Sequence, residues 1–466
     1  MISFVNDEGV ETHGTTLRLS EAVAVLEVYD PYVVVRISAV LPKLTIYHGT
    51  TIAYEGRAIV KNLINTGLVL VISVTLTDPW LDQSAIQSEP KDLQRIAYDF
   101  ISKWDKHNEI RPGYRLAMSN IRNFLVDLKK WLTQSNLQGD DPLDTLQNDV
   151  HLEDEKFQQL AKPLIERLTE MCGGFEREAA LVTEDQTEIH VEFVKKDLIP
   201  LIMVSPFINR TYSKPLGHAG DYEMVNMMDR DQREGRSTYA QIINQYYLNM
   251  GLAKAHRNRL KILEERLIEL ANAHHANPET KDRPFRILNV GCGPAIEVTN
   301  FIHNSALSNS CTFDLLDFNY ETLNVTEKSI TATIKQVGSG PVMNYLHQSV
   351  TDLVRAASGK KRDVLNGPYD FIYCAGLFDY LGDKLCSRLI KLFHTLIADG
   401  GTVLVTNVHP DNPDRFAMEH IVDWYLIMRD AEQVAALALE FNNQKIYDDS
   451  THLNVFLEIT KESATV

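Results

Sequence analysis

A glycine-containing loop is the feature of this sequence with the clearest chemical potential. It occupies residues 289–295 (NVGCGPA), between a segment predicted as a strand and a segment predicted as a helix. Glycines let a backbone approach a ligand closely, and the N-terminus of a helix offers free N–H donors. Asp317 ends the next predicted strand, 26 residues after Gly291, near the ~20 residues at which an acid binds ribose hydroxyls. The loop and Asp317 together predict a nucleoside-binding site. The structural alternatives are a tight turn for the loop and a helix cap for Asp317.

Residues missing from the loop narrow the choice of ligand. Ile296 stands where a dinucleotide-binding loop has its third glycine, the loop has no basic residue, and no GxxxxGK[ST] motif for a triphosphate occurs. A ligand with an adenosine and an amino-acid end but no phosphate fits this loop better. We therefore expect S-adenosylmethionine as the cofactor and S-adenosylhomocysteine as its product.

The elements around the loop predict a sheet that would position both features. From residue 285 onward, apolar strands alternate with helices, which is typical of a parallel sheet covered on both faces. The predicted strands are residues 285–290, 311–318, 342–350, 369–376 and 401–408. Residues 444–447 and 454–460 are predicted to form an antiparallel hairpin.

The sequence before this sheet predicts a different architecture. Short runs rich in Val, Ile and Tyr, separated by turn residues, are typical of a small barrel or sandwich. These runs are residues 23–28, 32–40, 43–48, 58–62 and 68–76, with turns expected at 41–42 and 55–56. Apolar spacing then predicts helices over 91–104, 115–131, 157–171, 175–194 and 239–274, with a linker at 136–142. We expect four domains: a barrel (1–85), a helical region (86–200), a helical lid or substrate segment (201–282) and a cofactor-binding domain (283–466).

Composition and charge exclude several partners. The net charge is −17 and the pI is near 5.4, so the chain has no general attraction to nucleic acids or anionic membranes. The longest apolar run, residues 68–76, is too short to span a bilayer. The five cysteines are scattered without a CxxC pair, which favours free thiols in a reducing cytosol, and the histidines show no metal-ligand spacing. We expect a cytoplasmic protein that binds a small molecule, with no metal and no nucleic acid.

The five β/α units followed by a hairpin resemble the class I methyltransferase fold, a Rossmann-like α/β sheet whose last strand inserts antiparallel. The resemblance implies that the loop and the strand ends hold the cofactor. Its implied contacts are Gly291, Cys292 and Gly293 with the amino-acid end and ribose, Asp317 with the ribose hydroxyls, Phe318 with the adenine, Ser349 and Val350 with the adenine edge, and Ala375 and Gly376 with the methionine portion. One departure is Asn289, where many members carry an acid that attracts the ammonium group of the cofactor.

Four further segments carry a narrower resemblance: residues 214–227 (KPLGHAGDYEMVNM), 255–259 (AHRNR), 375–381 (AGLFDYL) and 423–427 (DWYLI). They resemble bacterial methyltransferases that make 3-hydroxy fatty acid methyl ester quorum-sensing signals, which implies an acyl compound as the acceptor. The N-terminal region resembles a degenerate PilZ-type barrel, because residues 62–67 (NLINTG) depart from its cyclic di-GMP motif and no RxxxR precedes them. We interpret this barrel as a packing or dimerisation module, and the helical region is the second candidate for a homodimer contact.

Candidate substrate and catalytic residues come from these segments. A carboxylate acceptor is already ionised and needs no general base, whereas a hydroxyl or amine acceptor often needs one. For that role we consider His409, just after the fifth strand, and His218; a structural hydrogen bond is the alternative for each. The other candidates, each with a packing, capping or surface role as its alternative, are Tyr380 facing the substrate, Asp221 and Tyr222 as a lid, Arg257 as an anion clamp, and Tyr425 lining an apolar pocket.

The sequence thus predicts an S-adenosylmethionine-dependent methyltransferase that acts on the carboxylate of a hydroxy fatty acid or a related small acceptor. Two alternatives stay open. One is an O- or N-methyltransferase of another small molecule. The other is a non-catalytic regulator linked to S-adenosylmethionine or cyclic di-GMP.

Overall fold

The computed structural model describes most of the chain, in three connected parts. A closed β-barrel comes first, helices follow, and a seven-stranded sheet flanked by helices comes last. The described residues are 1–6, 9–20, 22–28, 35–49, 51–65, 70–81, 93–106, 109–137, 152–230, 232–357 and 365–462. The barrel and the mixed sheet confirm the predicted fold class at this level, and the four domain boundaries stay predictions.

The barrel consists of antiparallel strands that each turn one face toward a common core. They are β1 (Ile2–Val5), β2 (Glu11–Leu19), β3 (Val23–Val28), β4 (Val40–His48), β5 (Thr51–Asn65) and β6 (Leu70–Leu76). Their hydrogen-bonded order is β1-β2-β3-β6-β5-β4, and β4 pairs with β1 to close the barrel. In β6 every second side chain from Leu70 to Leu76 is buried, which is the alternation expected of a strand with one face on a core.

Several predictions about these strands were wrong. Residues 35–39 form a turn instead of a strand, with Ser38 at a left-handed φ of 61°; residues 32–34 lie outside the described part of the chain. The turns expected at 41–42 and 55–56 lie within β4 and β5, where a register shift beside Pro42 accommodates its missing N–H donor. Sequence patterning missed β2 because its core face contains Thr12 and Gly14 instead of large apolar side chains.

Helices fill the middle of the chain, and most of them pack on one apolar core. They are α1 (Leu93–Lys106), α2 (Pro112–Gln134), α3 (Asp154–Ala179), α4 (Thr187–Ile202), α5 (Pro206–Ser213), α6 (Tyr222–Arg230), α7 (Thr238–Leu248) and α8 (Gly251–Ala276). The predicted break before residue 175 is absent from α3, because Leu168 and Phe175 anchor the helix in the core on both sides of its two glycines. The single helix expected over 239–274 is instead two, α7 and α8. Residues 138–142 of the predicted linker lie outside the described residues.

The last part is a sheet whose first five strands are parallel. Its strands are β7 (Phe285–Val290), β8 (Cys311–Asp317), β9 (Val342–His347), β10 (Tyr369–Cys374), β11 (Ile397–Val408), β12 (Gln444–Asp448) and β13 (Asn454–Thr460). The helices are α9 (Ile296–Asn304), α10 (Tyr320–Val337), α11 (Val350–Ala357), α12 (Asp383–Leu396), α13 (Arg415–Val422) and α14 (Ala431–Ala436). The strand order is β12-β13-β11-β10-β7-β8-β9, with β13 antiparallel to both of its neighbours. The predicted parallel sheet with an antiparallel terminal hairpin is therefore confirmed.

The turn at residues 35–39 attaches the barrel to the sheet. The hydroxyl of Ser38 lies against the carbonyls of Asp423 (3.2 Å) and Tyr425 (3.0 Å) and accepts the N–H of Tyr425. The N–H of Val40 donates to the carbonyl of Gly217 (2.5 Å). The Ser38–Asp423 bond is buried, and both contacts of Ser38 with Tyr425 are partly buried. Together these bonds hold Arg36 at the carboxyl edge of the sheet.

We expect Ser38→Ala to loosen this attachment. The substitution leaves the buried N–H of Tyr425 without its acceptor, which costs about 1–3 kcal/mol. Thermal unfolding should show a lower midpoint for Ser38→Ala than for the wild type. Ser3→Ala on β1, where no hydrogen bond of the hydroxyl is recorded among the described residues, is the matched control. Equal midpoints for the two variants would contradict this account of the attachment.

Candidate functional site

A cavity opens at the edge of the sheet where the carboxyl ends of the parallel strands meet. Its volume is about 160 Å³, room for on the order of ten water molecules. All three parts of the chain line it: the barrel through Arg36 and Ile37, the helices through α6 and α8, and the sheet through its loops and strand ends. Open α/β sheets bind their ligands at this edge.

The glycine loop folds back on the neighbouring strand and leaves its backbone beside the cavity. The N–H groups of Gly291 and Cys292 both donate to the carbonyl of Leu316 (2.9 and 3.0 Å). Gly291 and Gly293 adopt left-handed φ angles of 70° and 52°, and a Cβ on Gly293 would meet no atom within 4 Å. That open space is what a ligand needs in order to reach the backbone. Because α9 begins at Ile296, the free N–H groups of its first turn lie next to the loop.

Asp317 joins the end of β8 to the glycine loop. Its carboxylate accepts the N–H of Gly293 (3.1 Å) through Oδ2 and the N–H of Asn319 (2.9 Å) through Oδ1. The residue that caps α10 is Asn319, so Asp317 does not have the helix-cap role that was its structural alternative. Burial raises the pKa of Asp317, while these two N–H donors and the charge of Arg36 oppose the increase. A buried carboxylate therefore faces the cavity at the position expected for ribose recognition.

Phe318 lies between two residues that come from outside the sheet. The guanidinium of Arg36 in the barrel turn sits 3.7 Å from the centroid of its ring, within the range of a cation–π interaction. The ring of His218 approaches it edge-on at 5.2 Å. Arg36 is only 4% exposed. Sequence analysis missed it, although an isolated arginine within the apolar run 32–40 was the available signal.

A buried carboxyl group beside Asn289 was also missed. The amide of Asn289 donates to Glu297 (3.0 Å), and the hydroxyl of Tyr373 donates to the same carboxylate oxygen (2.7 Å). Burial raises the pKa of Glu297, and the bond from Tyr373 is the largest effect that lowers it. Glu297 lies in the first turn of α9. Its carboxyl group is therefore next to Asn289, the strand residue that itself carries no carboxyl group. A glutamate directly after the glycine loop, at the second position of α9, was the signal in the sequence.

Tyr380 lies in a short turn at residues 378–380 that Arg429 holds in place. The buried guanidinium of Arg429 donates to the carbonyls of Phe378 (3.0 Å) and Leu381 (2.6 Å) and to the side chains of Asn407 and Asp383. Within the turn, the carboxylate of Asp379 accepts the N–H of Val408 (2.7 Å). Burial raises the pKa of Asp379 to about 6, against the charge of Arg259. The turn thus presents Tyr380 and a buried acid to the cavity.

The segment before α6 covers this turn. A Cβ on Gly220 would lie 2.6 Å from the hydroxyl of Tyr380, so only glycine lets the segment cross here. That hydroxyl accepts the indole N–H of Trp424 (3.0 Å). The hydroxyl of Tyr222 donates to Glu321 (3.0 Å) on α10. Tyr222 also lines the cavity, and its role as a lid stays a prediction.

The cavity brings together most of the residues that the sequence singled out. Those lining it are Gly291, Cys292, Gly293, Asp317, Phe318, Val350, Ala375, Gly376, Tyr380, His218 and Tyr222. The sequence analysis did not assign roles to several other lining residues, namely Arg36, His256, Arg259, Glu297, Tyr373 and Asp379.

Five predicted site residues lie outside the described cavity lining, contrary to expectation. Asp221 does not line the cavity. It pairs with Arg210 (2.8 Å) and accepts the N–H groups of Glu223 and Met224 in the first turn of α6, so it is a helix cap. Ser349 bonds Asp352 (3.1 Å) at the start of α11.

The remaining three also have other partners. Arg257 donates to the carbonyls of Met228 (2.8 Å) and Leu248 (3.0 Å). His409 accepts the N–H of Asp411 (3.1 Å), and the hydroxyl of Tyr425 bonds Asp423 (3.3 Å). His409 therefore has no described contact with the cavity from which to act as its base, and Arg257 is held by backbone carbonyls.

Comparisons with known proteins find distant structural similarity only. No protein-family model matches the chain, and no curated protein matches it. A possible exported protein from Bordetella parapertussis is 13% identical with a TM-score of 0.41, over 76% of this chain and 100% of that one. The CurJ carbon methyltransferase is 11% identical (TM-score 0.36; 74% of this chain, 81% of that one). Magnesium protoporphyrin IX methyltransferase from Synechocystis, solved with S-adenosylhomocysteine bound, is 10% identical (TM-score 0.33; 45% and 87%). At this distance the similarities assign neither a family nor an activity to the chain.

Two further observations concern the described residues alone. No group of three or more His, Cys, Asp or Glu side chains among them is placed to hold a metal ion. None of their helices combines the length and apolarity needed to cross a membrane.

We expect the buried carboxyl group of Asp379 to make stability fall as pH rises. Its pKa is about 6 in the folded chain and about 3.9 when unfolded. Below pH 4 the carboxyl group of Asp379 is protonated in both the folded and the unfolded chain, so it does not affect stability. Between pH 4 and 6 it ionises first in the unfolded chain, which lowers the free energy of unfolding, by at most about 3 kcal/mol above pH 6.

The unfolding midpoint of Asp379→Asn, measured relative to that of the wild type, should therefore increase between pH 5 and pH 7.5. The exposed Asp282→Asn is the control, with no such gain. A difference that is constant with pH, or that has the opposite sign, would show that Asp379 is not a penalised carboxylate.

Proposed function

We propose that this protein is a methyltransferase that uses S-adenosylmethionine. The observation that carries the proposal is the pairing of the glycine loop with Asp317 through the Gly293 N–H (3.1 Å) at the carboxyl edge of the sheet. The open space at Gly293 fits a ligand close to the backbone, and a buried carboxylate at Asp317 fits ribose hydroxyls. The carboxyl group of Glu297 supplies the negative charge that Asn289 lacks for an ammonium group.

When bound, S-adenosylmethionine supplies a methyl group activated by a sulfonium. Methyl transfer is an in-line displacement, so the work of the chain is to orient the two reactants and exclude water. Tyr222, the segment around Gly220, and Arg36 with Ile37 all line the cavity, and they come from outside the sheet. For a carboxylate acceptor no proton has to be removed. His409 is absent from the described lining, but His218, the other candidate base, lines the cavity, so a hydroxyl or amine acceptor is the second candidate.

A second, apolar cavity supports an acceptor with a hydrocarbon chain. It has a volume of about 30 Å³, and Met228, Leu252 and Trp424 line both cavities. Its other lining residues are mainly apolar: Phe207, Ile208, Thr211, Tyr247, Met250, Ala253, Asp414, Ala417, Met418, Ile421 and Val422. At this volume the second cavity holds only about two water molecules, so a hydrocarbon chain that runs toward it from the first cavity would have to displace some of these side chains. Because the lining is mainly apolar, we propose an apolar carboxylic acid as the acceptor, a hydroxy fatty acid among the candidates.

Cofactor binding provides the first test. We expect the wild type to bind S-adenosylhomocysteine in calorimetry, and Asp317→Ala to lose about tenfold to a hundredfold in affinity because the charge-assisted bonds to the ribose are gone. Asp282→Asn, an exposed acid in the loop before β7, should bind as the wild type does. No binding by the wild type, or full affinity in Asp317→Ala, would refute the assignment. Binding without methyl transfer to any carboxylic acid, hydroxy acid or amine would favour the regulator.

Chain-length preference tests the acceptor. Met228 lines both cavities, so Met228→Trp should fill the space between them, and KM should rise for long-chain acids by about fourfold for each methylene no longer buried, with little change for short-chain acids. Met228→Leu, of similar volume, serves as the control. Unchanged affinity for S-adenosylhomocysteine would show that the cofactor end is intact. An equal rise in KM at every chain length would argue against an acyl pocket.

A further inference from the structure

The cavity contains an arginine that forms no ion pair with a carboxylate of the described residues. Arg259 comes from α8, and its recorded hydrogen bond is the one from Nη2 to Nδ1 of His256 (2.8 Å). A Cβ on residue 376 would lie 3.2 Å from the same nitrogen, so the glycine there leaves room beside the guanidinium. No carboxylate of the described residues lies within ion-pair distance of this guanidinium, although its charge reaches the buried acids Asp379 and Glu297 and lowers their pKa values. In a chain of net charge −17, a guanidinium that faces the cavity without a direct ion pair can bind a further anion.

Its neighbour His256 is a hydrogen-bond acceptor that orients the guanidinium. Arginine can only donate, so Nδ1 of His256 must accept, and the neutral imidazole then carries its proton on Nε2. Burial, together with the charges of Arg259 and Arg257, holds the pKa of His256 well below its usual value and keeps the ring neutral. The side chain is 5% exposed, and Nε2 has no hydrogen-bond partner among the described residues. Because the two ring nitrogens point in nearly opposite directions, this N–H faces away from Arg259, and Nδ1 is the group that holds the guanidinium.

Helix geometry explains why these two residues act together and Arg257 does not. His256 and Arg259 are three positions apart on α8, so they share one face. Arg257 is two positions from Arg259 and points elsewhere, toward the carbonyls of Met228 and Leu248. Arg259 lines the cavity and Arg257 does not, so Arg259 is better placed for the anion-binding role that the sequence analysis gave to Arg257.

We propose that Arg259, positioned by Nδ1 of His256, forms a binding subsite for a carboxylate group. The planar guanidinium matches a carboxylate, and its bond to His256 fixes its orientation. The proposal rests on the proposed function, in which two carboxylates enter the cavity: the amino-acid end of the cofactor and the acid group of the acceptor. Both present the same chemistry, and binding measurements distinguish them.

The experiment compares ligands with and without the amino-acid end. Calorimetry measures S-adenosylhomocysteine and 5′-methylthioadenosine, which lacks that end, and then a medium-chain 3-hydroxy acid with the S-adenosylhomocysteine-saturated protein. The variants are Arg259→Met, Arg259→Lys, His256→Phe and His256→Gln, which keeps a hydrogen-bond acceptor. Lys261→Met, an exposed site on the same helix (side chain 76% exposed), is the control.

If the subsite holds the cofactor, Arg259→Met should lose about tenfold to a hundredfold in affinity for S-adenosylhomocysteine and almost none for 5′-methylthioadenosine. If it holds the acceptor, both nucleosides should bind normally and the affinity for the hydroxy acid should fall by that factor. In either case His256→Gln should recover part of what His256→Phe loses. Arg259→Lys keeps the charge but not the planar guanidinium, so its affinity should lie between those of the wild type and Arg259→Met. If Arg259→Met does not fold, the affinity of Arg259→Lys tests the subsite instead.

Normal affinity for S-adenosylhomocysteine and the hydroxy acid in both Arg259 variants would overturn the subsite while leaving the proposed function intact. Equal losses for S-adenosylhomocysteine and 5′-methylthioadenosine would also overturn it, because the defect would then lie outside the carboxylate. Failure of the wild type to bind S-adenosylhomocysteine would refute the proposed function instead. The two failures are therefore distinguishable.

Discussion

The parallel alignment of β7 with β8 is the constraint on which the site depends. Val290 pairs with Leu316, so the loop that leaves β7 meets the end of β8 at once. The carbonyl of Leu316 accepts two N–H groups of the loop, and the next residue, Asp317, accepts a third from Gly293. A shift of one residue would turn Asp317 to the other face of the sheet. The pairing register, more than the glycines themselves, places a carboxylate beside an open backbone.

Charge is distributed unevenly in this acidic protein. Buried acids face the cavity at Asp317, Glu297 and Asp379, and burial raises the pKa of each. Arg36 and Arg259 lie among them and lower those pKa values, Arg36 that of Asp317 and Arg259 those of the other two. The net charge of −17 repels anions in general. An anionic ligand could therefore be bound only through local cations that are held inside the cavity.

The barrel contributes to this cavity directly. Its turn at residues 35–39 is inserted against the carbonyls of Asp423 and Tyr425, and it brings Arg36 onto the ring of Phe318. The N-terminal region had been interpreted as a packing or dimerisation module. In the described residues it packs against the sheet of its own chain and forms one wall of the site, which ties the integrity of the site to that of the barrel.

The sequence by itself determined the sheet and its local signals, because strand–loop–helix patterns and their spacing are local properties of the chain. The glycine loop, Asp317, Tyr380 and the antiparallel hairpin could all be recognised in this way. Only the tertiary structure decided which charged side chains meet. Arg36 is separated from Phe318 by more than 250 residues, and the choice between Arg257 and Arg259 depended on which face of α8 turns toward the sheet. Such contacts are set by packing between distant elements, and no local pattern encodes them.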